Sequence, residues 1–139
     1  MDVNVFVYGY RTEAPRHPEY RDWLDGLVNG NDAFGVSDFA LSGFLRIVTN
    51  PRIFDPPSPM EAALEFADRV RSAANAVPVV PGRRHWAIFS DLLRSAGARA
   101  NLVPDAYFAA LAIESGSEWI TTDRAFSRFP GLRWRHPLE

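Results

Sequence analysis

Strand-like and helix-like patterns alternate along this chain, and an aspartate stands at three of the seams between them. Asp2 lies in Met-Asp-Val-Asn-Val-Phe-Val, Asp105 in Leu-Val-Pro-Asp-Ala-Tyr-Phe-Ala-Ala-Leu-Ala, and Asp123 in Trp-Ile-Thr-Thr-Asp-Arg. Such alternation predicts an α/β fold, a three-layer α/β/α sandwich around a central, mostly parallel sheet. In folds of this type, strand ends and helix starts gather in one crevice. Three carboxylates brought together there would repel each other. A hard divalent cation, Mg²⁺ or Mn²⁺, removes that repulsion, because it takes oxygen ligands and keeps several waters. The pattern therefore reads as a metal site suited to phosphodiester chemistry.

The local signals supply the elements. Residues 3–8 form a β-rich run and predict a first strand; a buried strand normally carries apolar residues before its functional end, so either Asp2 precedes the strand proper or the true start codon lies upstream. Residues 17–29 predict a helix, with Tyr20, Leu24, Leu27 and Val28 at helical spacing. A short strand over 34–36 precedes a helix to about residue 48, for which Ser37 is the expected N-cap. After a proline-rich loop at 51–59, a helix is expected over 60–75 and a strand over 77–80. A helix over 83–96 ends at Gly97. The next runs from Asn101, its expected cap, to about Glu114, with Pro104 tolerated in its first turn. A strand over 118–121, a helical turn over 124–127 and a last strand over 132–135 complete the chain.

At 139 residues the expectation is a single domain, residues 1–139, large enough for a hydrophobic core. No cysteine is present, which excludes disulfides, zinc–thiolate sites and cysteine nucleophiles. All 15 basic residues are arginine. A P-loop and Schiff-base catalysis both need a lysine, as do the receiver domains and phosphoaspartyl hydrolases that also cluster aspartates at strand ends. A net charge of −2 leaves any nucleic-acid contact to local arginines. No apolar run reaches the length of a membrane span and no secretory signal is evident, so a cytoplasmic protein is expected.

Each carboxylate has a plainer reading. Asp105 could simply favour a helix N-terminus, and Asp123 could cap the turn that follows it. Asp2, ahead of a strand, has no capping role. Glu114 falls on the opposite helix face from Asp105 and reads as solvated. His17, His85 and His136 lack the spacing of a shared metal site, and no Gly-x-Ser-x-Gly elbow exists. Trp134, between Arg133 and Arg135, could stack a base or pack on the sheet.

Taken in order, four segments resemble the PIN-domain ribonuclease toxins of the VapC family, in their mycobacterial-like branch. They are Asp2-Val3-Asn4-Val5, the run Gly43-Phe44-Leu45-Arg46-Ile47-Val48-Thr49-Asn50-Pro51-Arg52, the stretch from Gly97 to Leu111, and Thr121-Thr122-Asp123-Arg124-Ala125-Phe126 with the following Phe129-Pro130-Gly131-Leu132-Arg133-Trp134. The resemblance implies a Mg²⁺- or Mn²⁺-dependent endoribonuclease acting on tRNA or ribosomal RNA. It also implies a homodimer and a cognate VapB-type antitoxin, for which the loop at 55–59 with Leu64 and Phe66 could line a groove. It assigns Asp2, Asp105 and Asp123 to the acidic set and Asn4 and Thr121 to its support. One departure stands out. Many PIN domains carry a glutamate where this chain has Gly43, and Asp38, at the start of the same helix, is the nearest acidic substitute. Arg46, Arg52, Arg124 and Arg128 are candidates for RNA phosphate contacts. The rival expectations are a PIN-like RNA- or protein-binding module without catalysis, and a small-molecule phosphohydrolase.

Overall fold

The computed structural model describes residues 1–139. Its elements are α1 (Val3–Tyr10), α2 (His17–Val28), β1 (Phe34–Val36), α3 (Asp38–Val48), α4 (Met60–Arg71), β2 (Ala76–Pro78), α5 (His85–Ser95), α6 (Leu102–Ser115), β3 (Trp119–Ile120), a 3₁₀ turn (Arg124–Arg128) and β4 (Trp134–Arg135). The chain divides into two compact units. The first holds Met1, residues 3–78 and Leu138; the second holds Asp2, residues 79–137 and Glu139. Each unit contains one parallel strand pair. β1 pairs with β2 with Phe34 opposite Ala76, and β3 pairs with β4 with Trp119 opposite Trp134. Parallel pairing of strands separated by helices is the α/β pattern expected. The hydrogen-bonded ladders are two short pairs, β1–β2 and β3–β4.

The largest correction concerns residues 3–8, which are helical and not a strand. Valines at alternating positions favour a pleated strand only when the surroundings supply one. Here Val5, Phe6 and Val7 are buried, as a helix covered on more than one side requires. In the first unit, the Phe6 ring meets Phe44 of α3 edge-on, at 6.3 Å between centroids. α2 lies so close that a Cβ on Gly9 would fall 2.2 Å from Leu24 Cδ1. His17 fastens the same contact, its buried ring donating through Nδ1 to the carbonyl of Tyr8 at 2.9 Å. Tyr10, Phe44 and Phe66 continue the aromatic core, with Tyr10–Phe66 and Phe44–Phe66 centroids each 5.0 Å apart. Phe66 and Leu64 are half-buried.

Other boundaries move less. α4 ends at Arg71 and not near residue 75, because Asn75 leaves the helix. Its side-chain amide donates to the carbonyls of Leu27 and Asp32. Ser37 and Asn101 do occupy N-cap positions, but neither side chain caps its helix. α5 closes as expected, with Gly97 at φ +58 and Ala98 N–H returning to the Leu93 carbonyl.

The second unit is built on α6, whose Ala106, Phe108, Ala109, Ala110, Leu111 and Ala112 are all buried. Phe108 stacks on Trp119 at 5.2 Å, and Phe126 and Phe129 extend the cluster. Trp134 is half-buried within β4. Glu114 is not simply solvated. Its carboxylate accepts the backbone N–H groups of Gly82 and Arg84 at 2.6 and 2.8 Å, which ties the segment before α5 to α6.

Candidate metal centre

The three aspartates belong to the second unit, and each is placed by a different local rule. Asp2 is buried at 7% exposure. Its N–H donates to the Ile120 carbonyl at 2.8 Å, so the residue lies along the edge of β3 immediately before the chain turns into α1. Asp105 stands in the first turn of α6, where a carboxylate suits the helix dipole. Asp123 is the N-cap of the 3₁₀ turn, its Oδ1 accepting Ala125 N–H at 2.7 Å. The capping role that the sequence allowed for Asp123 is therefore real.

Thr121 joins two of the acids. It is fully buried, donates its hydroxyl to Asp2 Oδ2 at 2.6 Å, and accepts the N–H of Asp123 at 3.0 Å. A hydroxyl has one proton to give, and the incoming amide directs that proton to Asp2. Asn4, the other expected support, sits partly exposed in the first turn of α1.

The electrostatics tie in the third acid. Burial pushes the Asp105 carboxyl up to about 6 from an ordinary 3.8, the charges of Asp2 and Asp123 add to the rise, and Arg128 draws part of it back. Asp105 thus experiences both other carboxylates.

Asp38 is differently engaged. In the first unit its two oxygens accept from Arg71 Nε and Nη2 at 2.8 and 3.2 Å. Both side chains are exposed, and the guanidinium holds the Asp38 carboxyl below its usual range. Gly43 has a steric reason. A Cβ there would lie 2.8 Å from Val3 Cγ2, so α1 packs where a longer side chain would start.

Among the arginines singled out, Arg124 pairs with Glu139 at 3.0 Å, and Arg128 Nε donates to the Ala125 carbonyl at 3.0 Å. Arg46 lies in the last turn of α3, and the backbone N–H of Arg52 donates to Asn50 Oδ1. The part played by Ala125 escaped the sequence reading, because its contribution is backbone alone. The Asp-x-Ala spacing of an N-cap was the one available signal.

No group of three or more His, Cys, Asp or Glu side chains is drawn together tightly enough to hold a metal ion by itself. The donor chemistry still suits a hard cation. The acids are all carboxylates, their mutual repulsion is expressed at Asp105, and Mg²⁺ typically needs only one or two protein carboxylates beside its waters.

The chain is an α/β fold with acids at the edge of β3 and at the start of α6. The PIN-domain family model matches residues 1–132. The chain is 41% identical over its full length to a VapC ribonuclease of Mycobacterium bovis and to ribonuclease VapC43 of Mycobacterium tuberculosis, covering 95% of each. It is 36% identical over 137 residues to ribonuclease VapC25 of M. tuberculosis, covering 96% of that protein. The crystal structure of VapBC2 from Rickettsia felis bound to a DNA fragment from their promoter shares the fold, with a TM-score of 0.67 at 20% identity over 96% of this chain and 94% of that one. The chain belongs to the VapC family of PIN-domain proteins.

Proposed function

We propose that this protein is the endoribonuclease toxin of a VapBC toxin–antitoxin pair, a single PIN domain that cleaves structured RNA, tRNA or ribosomal RNA, in the cytoplasm. The observation that carries the reading is the coupling of Asp105 to Asp2 and Asp123, with Thr121 holding Asp2 in place. A like-charged cluster costs stability unless a cation or an anionic substrate's counter-ion uses it. Names of close relatives support the reaction class.

Asp2, Asp105 and Asp123 would hold Mg²⁺, with Mn²⁺ as the alternative, Asp2 and Asp105 being the principal ligands. A cation bound there would polarise a phosphate oxygen and acidify a water for attack on phosphorus. Thr121, through its hydrogen bond to Oδ2, fixes the orientation of Asp2, as outer groups do for carboxylate ligands. Asp123, anchored through one oxygen to Ala125, would orient the attacking water.

A VapB-type antitoxin is the proposed protein partner, since the relative from R. felis is a VapBC complex. Trp86 and Val80, 73% and 69% exposed, supply apolar surface for a homodimer. No helix is long and apolar enough to cross a membrane.

The second reading, a PIN module that binds without cleaving, is favoured by one observation: the position of the usual glutamate is sterically closed by Val3. Cleavage of total tRNA and ribosomal RNA by pure protein in Mg²⁺, Mn²⁺ or EDTA, beside Asp105→Asn, separates the two. Discrete fragments that need metal and disappear in the variant are expected. Intact RNA from folded, antitoxin-free protein would retire the ribonuclease reading.

A further inference from the structure

Ala125 binds an acid at one end of its peptide and a base at the other. Its N–H donates to Asp123 Oδ1 at 2.7 Å, and its carbonyl accepts from Arg128 Nε at 3.0 Å. One residue of a 3₁₀ turn therefore fixes a carboxylate of the acidic cluster and a guanidinium on the same short scaffold.

Four of the eight arginines of this unit are held by partners elsewhere in it. Arg94 pairs with Asp91, Arg124 with Glu139 and Arg135 with Glu118, while Arg133 donates to the Gly116 carbonyl. Arg128 pairs with no carboxylate. Its Nε is used on Ala125, and the two terminal nitrogens, the fork that suits a phosphate, carry no partner. Arg83, Arg84 and Arg99 also lack an acid, but Arg128 is the one tied to the same turn residue that holds Asp123.

We propose that Arg128 is the residue that binds the phosphodiester to be cut and seats it against Asp2, Asp105 and Asp123. An acidic cluster repels RNA, so a site of this kind needs one fixed cation facing the approach of the strand. Arg128 meets that need because the turn itself aims it. The charge is neither neutralised by an ion pair nor left on a freely rotating side chain. Binding at this point contacts phosphate and carries no base information, so Arg128 sets where the strand sits and not which sequence is chosen. The assignment rests on the ribonuclease reading for its substrate.

The test separates binding from cleavage. In EDTA, on an Asp105→Asn background, affinity for a single-stranded RNA oligonucleotide is measured against salt concentration, with and without Arg128→Ala. Arg94→Ala is the control for loss of a surface charge. Losing one phosphate contact should flatten the slope of log K against log salt by about 0.7. Affinity at low salt should fall about 10- to 100-fold, and Arg128→Lys should fall between. In the otherwise native enzyme with metal, Arg128→Ala should raise KM and lower kcat while the melting temperature stays unchanged. An unaltered slope and affinity in Arg128→Ala, or an equal loss in Arg94→Ala, overturns the proposal. Absence of any RNA binding overturns it together with the parent reading. RNA binding that depends on Arg128, without cleavage by the native enzyme, removes the ribonuclease reading and the scissile role, and leaves Arg128 as a phosphate-binding residue.

Discussion

Thr121 gives its only hydroxyl proton to Asp2, 119 residues away, at 2.6 Å in a buried setting. The same oxygen accepts the backbone N–H of Asp123 at 3.0 Å. One buried side chain thereby joins the first acid of the chain to the last acid of the cluster.

Thr121→Val preserves shape and removes both bonds. The bonds to Asp2 and to the Asp123 N–H are then both lost, at a cost of about 1–3 kcal/mol. RNA cleavage should fall about 10- to 100-fold, the usual effect of losing a support behind a metal-binding carboxylate. Thr121→Ser should keep most of both. Denaturant unfolding and initial cleavage rates check this; wild-type rates in Thr121→Val would show that Asp2 does not need the hydroxyl.

Asp105 makes stability depend on pH in a definite direction. Its carboxyl is pushed up to about 6, first by burial, then by Asp2 and Asp123. The folded state thus holds the proton more tightly than the unfolded chain does. The contribution is complete below the ordinary 3.8 and is lost as pH rises through about 6. Asp105→Asn should therefore stabilise the metal-free protein above that range, by about 1–2 kcal/mol once solvent screening of a half-buried group is allowed for. It should change little near pH 4. Melting curves in EDTA across this range decide the matter, and a variant less stable than wild type at neutral pH would contradict the repulsion.

Gly43 and Val3 predict a reversal of sign. Alanine is preferred over glycine in a helix by about 1 kcal/mol, but at position 43 its Cβ would meet Val3 Cγ2 at 2.8 Å. Overpacking of this kind costs about 1–3 kcal/mol, so Gly43→Ala should destabilise. On a Val3→Ala background the clash is gone, and the same substitution should stabilise. A double-mutant cycle with no coupling would remove the steric account of the missing glutamate.

Glu114 should hold the start of α5 through the amides of Gly82 and Arg84. Those bonds, Gly82 first, keep its carboxyl below the usual 4.5. The stabilisation is present above the ordinary value and fades as pH falls through the lowered one. Protection of the Gly82 and Arg84 amides, relative to their intrinsic exchange rates, should fall in Glu114→Ala and as pH falls through the lowered value, with Asp105→Asn unaffected at these two amides. Unchanged exchange in Glu114→Ala would mean that the amides are protected by something else.

Periodicity and punctuation in the sequence determined a good deal: the helices of residues 17–28, 38–48, 85–95 and 102–115 and the parallel α/β class. Those features rest on local patterns, or on a spacing repeated along the chain. The tertiary structure decided the remainder. Residues 3–10 have the valine pattern of a strand, and only packing against α2 and α3, with Gly9 under Leu24, makes them a helix. Glu114 is on the face turned away from Asp105, yet it serves backbone groups 30 and 32 residues earlier in the chain. Asp38 meets Arg71 across 33 residues. Whether an acid is capped, paired or held among like charges depends on partners that are neighbours in space alone, and hydrogen bonds and Coulomb forces act over ångströms, not over sequence.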